Sequence, residues 1–436
     1  MRSNERRVCQ NKNSVLAVAA EKLPRFAGGM NMLSPDFAVP QGHVRDITNM
    51  DVITGGVLRT REGYAAEPHV AGDRCHSLFA SPGFMLHADG PSLKRTTRSG
   101  VSVVASVQIG SPVTYAVLPD GSVAFSDGVS AIGRVNASGP AEGLSIPPPG
   151  SPRVTPTQNG LLRAGRYTLA LVWLDADGGE SPPSLPVAVD LLDGQGVELT
   201  DIPAVPPVGA VAIRVYCSHA NEAALFEARF VTVGVTTVRV DSAPSGPLLE
   251  TLFESAFPAC SVLAFAAGRL LGFRGNAMFW SEPFRYGVYR PASNFIQFAH
   301  PGAIIVPTQD GIYVGTLGPN GEGEVGFLSG FDFGQQPYRM VTPYGAYPGT
   351  PVFMPNSTQA AWASPRGFVV VDASGQSANI SQEKVVFPGA TRGGSLVREK
   401  DGVRQIISSL VPTGADSPFI STGYAEGEVI KGASAQ

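Results

Sequence analysis

The chain has little charge. Only 16% of its 436 residues are Asp, Glu, Lys or Arg, and the formal net charge is -4. Gripping DNA by its phosphates requires clustered lysines and arginines, and no such cluster occurs. A mildly acidic surface suits a conduit through which DNA slides without sticking; it is equally an ordinary protein surface. Cysteine is scarce as well. Cys9, Cys75, Cys217 and Cys260 are far apart and form no Cys-x-x-Cys pair. A disulfide framework belongs to shorter, cysteine-dense secreted chains, so these are read as reduced thiols. Long apolar runs are missing too. Val15–Ala20, after the basic Arg2, Arg6, Arg7 and Lys12, has six apolar residues, against the ~7–15 of a signal-peptide core. Ser261–Phe273 is broken by Arg269 and is shorter than the ~20 residues that span a bilayer. Neither an export signal nor a membrane span is expected.

Catalytic signatures are equally sparse. The histidines, His43, His69, His76, His87, His219 and His300, include no His-Glu-x-x-His or His-x-His arrangement, and no Gly-x-Ser-x-Gly elbow or Walker loop occurs. Gly321-Glu322-Gly323-Glu324-Val325-Gly326 satisfies Gly-x-Gly-x-x-Gly. A dinucleotide site needs a helix next, with its N-terminus facing the pyrophosphate. Phe327-Leu328-Ser329-Gly330 is unsuited to that helix and two glutamates repel phosphate, so a hairpin loop is expected. Asp175-Ala176-Asp177-Gly178 with Glu180 has the look of a calcium loop, but it runs into Pro182-Pro183 well short of the ~12 residues such a loop needs. It reads as a turn. Paired acids of the glycosidase kind come from distant positions ~5–9 Å apart, which leaves a hydrolase as a minor alternative. The expectation is a protein that is not an enzyme and that holds no metal or cofactor.

What the chain does have is punctuation. Gly 51 and Pro 37 make up about a fifth of it, while 43% of residues are hydrophobic. So much glycine and proline disfavours long helices, and so much apolar content disfavours disorder. Many short strands between frequent turns satisfy both, giving an all-β fold, and the length calls for two or three domains. From Cys75 to Val135 short apolar runs alternate with Ser81-Pro82-Gly83, Asp89-Gly90, Pro119-Asp120-Gly121 and Asp127-Gly128, which are hairpin signals. Pro147-Pro148-Pro149-Gly150 marks a stiff linker. Beyond it Gly165–Leu174 alternates, with Tyr167, Leu169, Leu171 and Trp173 on one face. About seven short strands in some 90 residues is the count of an immunoglobulin-like sandwich. After Gly246 the earlier style returns. Val113–Asp127, Arg269–Glu282 and Ala360–Ser374 can be laid side by side as a degenerate repeat of strand, glycine turn and strand. Such repeats suit a propeller, whose blades bury their faces against one another; a tandem row of small β domains is the competing architecture. The aromatic cluster Phe279-Trp280, Phe284, Tyr286, Tyr289, Phe295 and Phe298 is read as packing beneath a long loop, with a sugar platform as the alternative.

One stretch, Phe26–Tyr64, orders these features distinctively: Gly28-Gly29, Ser34-Pro35, Pro40-Gln41-Gly42, Asn49 and Asp51, Gly55-Gly56, Arg59 and Arg61, Gly63-Tyr64. Gly55-Gly56 is expected to join Asp51–Thr54 to Val57–Thr60 through a tight two-residue turn. Arg59 and Arg61 then point the same way, and Gly63 ends the strand. This order resembles the opening segment of virion structural proteins of tailed bacteriophages, where it leads into a β-propeller. The pattern Gly165-x-Tyr167-x-Leu169-x-x-x-Trp173, Asp175-x-Asp177-Gly178, Glu180-Ser181-Pro182 and Ile213-Arg214-Val215-Tyr216 resembles the fibronectin type III-like modules inserted in phage propeller proteins.

Over most of its length the chain is therefore similar to the tail nozzle (tail tubular or hub) proteins of short-tailed bacteriophages. Residues 1–25, polar at Asn4, Glu5, Asn11, Lys12 and Asn13 and with Val15, Leu16, Ala19, Ala20 and Leu23 on one face of a short helix expected over Val15–Leu23, read as an N-terminal arm with no counterpart in that family. The resemblance implies a first part of a β-propeller at 26–150, a fibronectin-like sandwich at 151–244 and the rest of the propeller at 245–436. It also implies a ring, typically a hexamer, within the virion. Portal and adaptor proteins and tail fibres would be its neighbours, and DNA would pass its lumen without sequence-specific contact. A receptor- or glycan-binding tail protein is the main rival reading.

Overall fold

A computed structural model of the chain describes residues 25–26, 28–45, 50–60, 75–331, 333, 338–381, 384, 389–400 and 403–413. The expected N-terminal helix over Val15–Leu23, and Asn49, Arg61, Gly63 and Tyr64 of the signature stretch, lie outside these residues. The described residues are all-β: short antiparallel sheets, with only two single-turn 3₁₀ segments at Asp36–Ala38 and Thr54–Gly56. None of their helices is long and apolar enough to cross a membrane.

Five meander sheets follow one another along the chain. The first pairs Cys75–Ser81, Phe84–Asp89, Ser92–Thr97 and Gly100–Ser106 in sequence order, and the second pairs Thr114–Val117, Val123–Ser126 and Ile132–Val135. The third holds Val262–Ala266, Arg269–Arg274, Ala277–Trp280 and Phe295–Gln297. The fourth holds Gly302–Pro307, Gly311–Thr316, Val325–Ser329 and Tyr338–Thr342; the fifth holds Val352–Phe353, Ala360–Ser364, Gly367–Val371 and Ser377–Asn379. Turn chemistry sets these hairpins. At Ala267-Gly268, for example, both residues take positive φ (48° and 72°), the geometry of a two-residue turn whose twist matches that of the strands it joins.

Each sheet shares its core with the next. Leu86 and Leu93 of the first pack with Val123 and Phe125 of the second, and Ala116 and Ala124 of the second with Leu263 and Leu270 of the third. Phe273 and Trp280 of the third meet Ile312 and Val314 of the fourth. Tyr313 and Phe327 of the fourth meet Trp362 and Val369 of the fifth. The central strand Gly311–Thr316 is consequently buried at every position, because one face serves the third sheet and the other the fifth. That is why it reads as a continuous apolar run and not as an alternation.

Between the second and third sheets sits a two-sheet unit of seven strands. Arg153–Leu162, Gln195–Thr200 and Val238–Val240 form one sheet; Val187–Leu191, Gly165–Leu174, Ala212–Ser218 and Leu225–Thr232 form the other. Tyr167, Leu169, Leu171 and Trp173 face the shared core with Val197, Leu199, Ile213 and Val215, as their alternation predicts. The opposite face of Gly165–Leu174 is also covered: Ala170 and Val172 pack with Tyr216, Leu225 and the returning Leu249 and Leu252.

Three expectations need correction. The hairpin at Gly55-Gly56 exists, but its register pairs Ile53 with Val57, so Thr54-Gly55-Gly56 is a three-residue connection with Gly55 at φ 79° and Gly56 at φ 76°. Arg153–Leu162, a ten-residue strand, is absent from the strands read in the sequence because it is polar and contains Pro156. It is the edge of its sheet, the place where proline is tolerated. The three repeat segments all form hairpins, but Arg269–Glu282 and Ala360–Ser374 span the middle strands of four, whereas Val113–Asp127 contains an edge strand of three. The repeat is therefore out of phase.

Candidate functional site

The signature stretch folds back on itself before it meets the rest of the protein. Asn31 Oδ1 accepts from the Ser34 N–H (3.1 Å) and shapes the turn at Ser34-Pro35. The chain then returns through Gly42 (φ 85°), so that Gly29–Met30 pairs in parallel with His43–Val44. Gly28 is needed for a different reason: a Cβ there would lie 2.4 Å from the His43 ring. The Gly56 carbonyl accepts from the Phe26 N–H (2.7 Å), tying the second glycine pair to the start of the segment.

The hairpin Met50–Ile53/Val57–Thr60 is the part that reaches across the molecule. Its Asp51 stands opposite Arg59 in the register and accepts a hydrogen bond from Arg398 Nη2, 347 residues away. Arg398 belongs to the long hairpin Ala390–Lys400/Val403–Pro412 that ends the described chain. Gln405 holds it in place, accepting from its Nε (3.1 Å) and Nη2 (2.7 Å) and donating from Nε2 to the Val52 carbonyl (3.4 Å). A further backbone tie runs from the Met32 N–H to the Lys384 carbonyl (2.6 Å).

The same long hairpin packs Val397 and Ile406 against Val352, Met354 and Ala361 of the fifth sheet. Its Arg392 also lies close enough to His76 of the first sheet to help lower that imidazole's pKa, after burial and against the pull of Asp89. The last hairpin thus packs on the fifth sheet and is tied by hydrogen bonds to the signature hairpin. Asp51 and Arg59 were legible as signature residues. Arg398 and Gln405 were not, since nothing local distinguishes them from other polar strand residues.

The two-sheet unit is seated on one loop of the third sheet. Arg285 donates from Nη1 to Glu254 (2.7 Å) and from Nη2 to the Glu180 carbonyl (2.8 Å), and Ser145 Oγ donates to the Gly287 carbonyl (3.0 Å). Glu180, a residue of the calcium-like pattern, instead accepts from Arg214 (3.0 Å) and Tyr216 (2.5 Å). Asp175 Oδ1 accepts the Asp177 and Gly179 N–H groups, closing a turn in which Gly178 sits at φ 84°. No group of three or more His, Cys, Asp or Glu that could hold a metal occurs among the described residues. Burial pushes the Cys217 and Cys260 thiols up to about 12, which makes them inert core residues at neutral pH.

Gly321–Glu324 lie in the hairpin connection between Gly311–Thr316 and Val325–Ser329, and Val325 and Gly326 open the second of these strands. Two residues of this stretch line a cleft of about 510 Å³ or support its wall. Across the open edges of the third and fourth sheets, among the described residues, Trp280, Phe295, Phe298, Phe333 and Tyr338 supply rings, and Ser293, Gln297 and Glu324 supply polar groups. The rings pack on one another: Trp280 with Phe333 at 5.4 Å and Phe298 with Tyr338 at 5.9 Å between centroids. Of the aromatic cluster, Tyr289 packs on Phe257 and Phe279 and Tyr286 on Phe265, whereas Phe284 and Phe295 are exposed.

No family model matches the chain and no curated protein matches it. Among solved structures it is similar, at 11% identity and a TM-score of 0.21, to PorZ, an essential bacterial surface component of the type-IX secretion system of Porphyromonas gingivalis; the match covers 76% of this chain and 62% of PorZ. The chain thus spans less than two thirds of that protein. It is similar to SapL1 lectin, solved in complex with alpha methyl fucoside, at 9% identity and a TM-score of 0.21, covering 74% of this chain and 99% of the lectin. At such TM-scores neither likeness bears on what this chain does.

Proposed function

We propose that the chain is a structural subunit of a bacteriophage virion, the tail nozzle or hub, acting as architecture and not as an enzyme. In this reading the five meander sheets and the terminal hairpins are blades of a β-propeller, and the seven-stranded unit is a fibronectin-like module inserted between blades. Copies assemble into a ring, a hexamer, below the portal and adaptor; the lumen passes DNA and the outer surface docks tail fibres. The supporting observation is the tie between the two ends of the described chain. The signature hairpin holds the last hairpin through Asp51, Arg398 and Gln405, and the last hairpin packs on the fifth sheet; in this reading those contacts bring the row of sheets back towards its start. The low charge and net charge of -4 suit a channel wall that DNA must not grip. The test is native mass spectrometry of the purified full chain, followed by cryo-microscopy of virions that contain it. A closed ring of six copies at the tail vertex is the expected result; a monomer at all concentrations and no ring in the virion would overturn the proposal.

A further inference from the structure

The cleft between the third and fourth sheets carries a separate inference, independent of ring assembly. We infer that it is a binding site for a neutral saccharide.

Gly326 leaves the space in which the Tyr338 ring lies, since a Cβ there would be 2.1 Å from that ring. Tyr338 is then fixed from two further sides, by its hydroxyl donating to Glu324 Oε1 (2.8 Å) and by the edge of Phe298. On the facing edge Phe295 rests on Phe279 at 6.3 Å. Both outer rings remain open to solvent, Phe295 at 42% and Tyr338 at 38% exposure, although Trp280 and Phe333 below them are buried. Aromatic faces held in place before any ligand arrives cost little ordering on binding.

The chemistry of the lining then selects the ligand. A volume of about 510 Å³ falls within the ~300–1,000 Å³ of small-molecule sites. A fully apolar ligand would strip water from Glu324, Gln297 and Ser293 without replacing its hydrogen bonds. An anion is disfavoured by the Glu324 carboxylate, and no lysine or arginine is among the described residues that line the cleft; the neighbouring Arg339 lies over Phe327 and donates to the Gly375 carbonyl instead. A sugar ring combines what remains: an apolar C–H face for the aromatic rings and hydroxyls that donate to a carboxylate and a side-chain amide. Glu324 and Gly326 belong to the Gly-x-Gly-x-x-Gly stretch, whose last glycine makes room for the Tyr338 ring.

The test uses the full chain and follows tryptophan fluorescence, to which Trp280 reports from the cleft. The probes are methyl glucoside, methyl galactoside, N-acetylglucosamine, their tetrasaccharides, and glucuronate as the charged counterpart. At least one neutral probe should give a saturable change, with glucuronate weaker than glucose. Phe295→Ala, at an exposed position, should weaken binding about tenfold or more, and Glu324→Gln should remove the discrimination against glucuronate. No saturable change with any probe, unchanged affinity in Phe295→Ala, or equal affinity for glucose and glucuronate would each overturn the inference. Oligomer mass recorded on the same samples keeps this outcome separate from that of the ring.

Discussion

Replacing Arg398 by Ala removes the guanidinium that faces Asp51 and both hydrogen bonds to Gln405. The Asp51 side chain is 12% exposed and that of Arg398 31%. The pair therefore lies between an exposed ion pair, worth ~0–1 kcal/mol, and a buried one, whose disruption costs ~3–5 kcal/mol. Arg59 stands across the register from Asp51 and continues to offset its charge in the variant. We expect Arg398→Ala to cost about 2 kcal/mol and Asp51→Ala about 1–2 kcal/mol, with the double variant costing about 1 kcal/mol less than the two together. The loss is local, so hydrogen exchange is the assay of choice. Amides of Met50–Thr60 and of the hairpin Ala390–Pro412 should exchange roughly 30-fold faster in Arg398→Ala, and both hairpins should respond to either substitution. Additive energies, or faster exchange confined to the mutated hairpin, would refute the idea that the two ends hold each other.

Two further outcomes follow from the packing. His87 is 1% exposed with neither ring nitrogen hydrogen-bonded, and burial, then Lys94, lower its pKa against the opposing Asp89. With the folded value below the usual ~6.5, the stability this group contributes is complete above ~6.5 and lost as pH falls through the lower value. Thermal midpoints at about pH 7.5 and 5 should therefore differ less in His87→Leu than in the parent chain. Gly302→Ala would place a Cβ 1.9 Å from the Phe273 ring, wedging the third sheet away from the fourth. We expect a loss of about 1–3 kcal/mol, partly restored by Phe273→Leu in denaturant titrations; an unaltered midpoint in the single variant would contradict the shared core.

Much of the fold was legible because turn chemistry and side-chain period are local. Asp-Gly and Ala-Gly pairs marked hairpins, and the alternation Tyr167, Leu169, Leu171, Trp173 pointed at a core that those four residues do line. What escaped was set by neighbours distant in sequence. The outermost strands Phe295–Gln297, Tyr338–Thr342 and Ser377–Asn379 are half-exposed edges, so their composition carries no strong apolar period. Ala170 and Val172 alternate as if facing water, yet they are covered by Leu249. The partner of Asp51 could not be read at all, because an ion pair 347 residues apart leaves no trace in spacing. The cleft was half visible: its aromatic residues stood out, but the role of Gly326 depends on Tyr338 lying over it.

The stem of the seven-stranded unit has a consequence for how such a chain can diversify. Its incoming segment at Ser145 and its outgoing segment at Glu254 are both anchored on the loop bearing Arg285 and Gly287, and no residue of 153–240 belongs to the cores that join successive meander sheets. The unit is in effect an exchangeable cartridge: another module of equal stem spacing can occupy the same socket, changing the surface that the chain offers while leaving the interior stacking untouched.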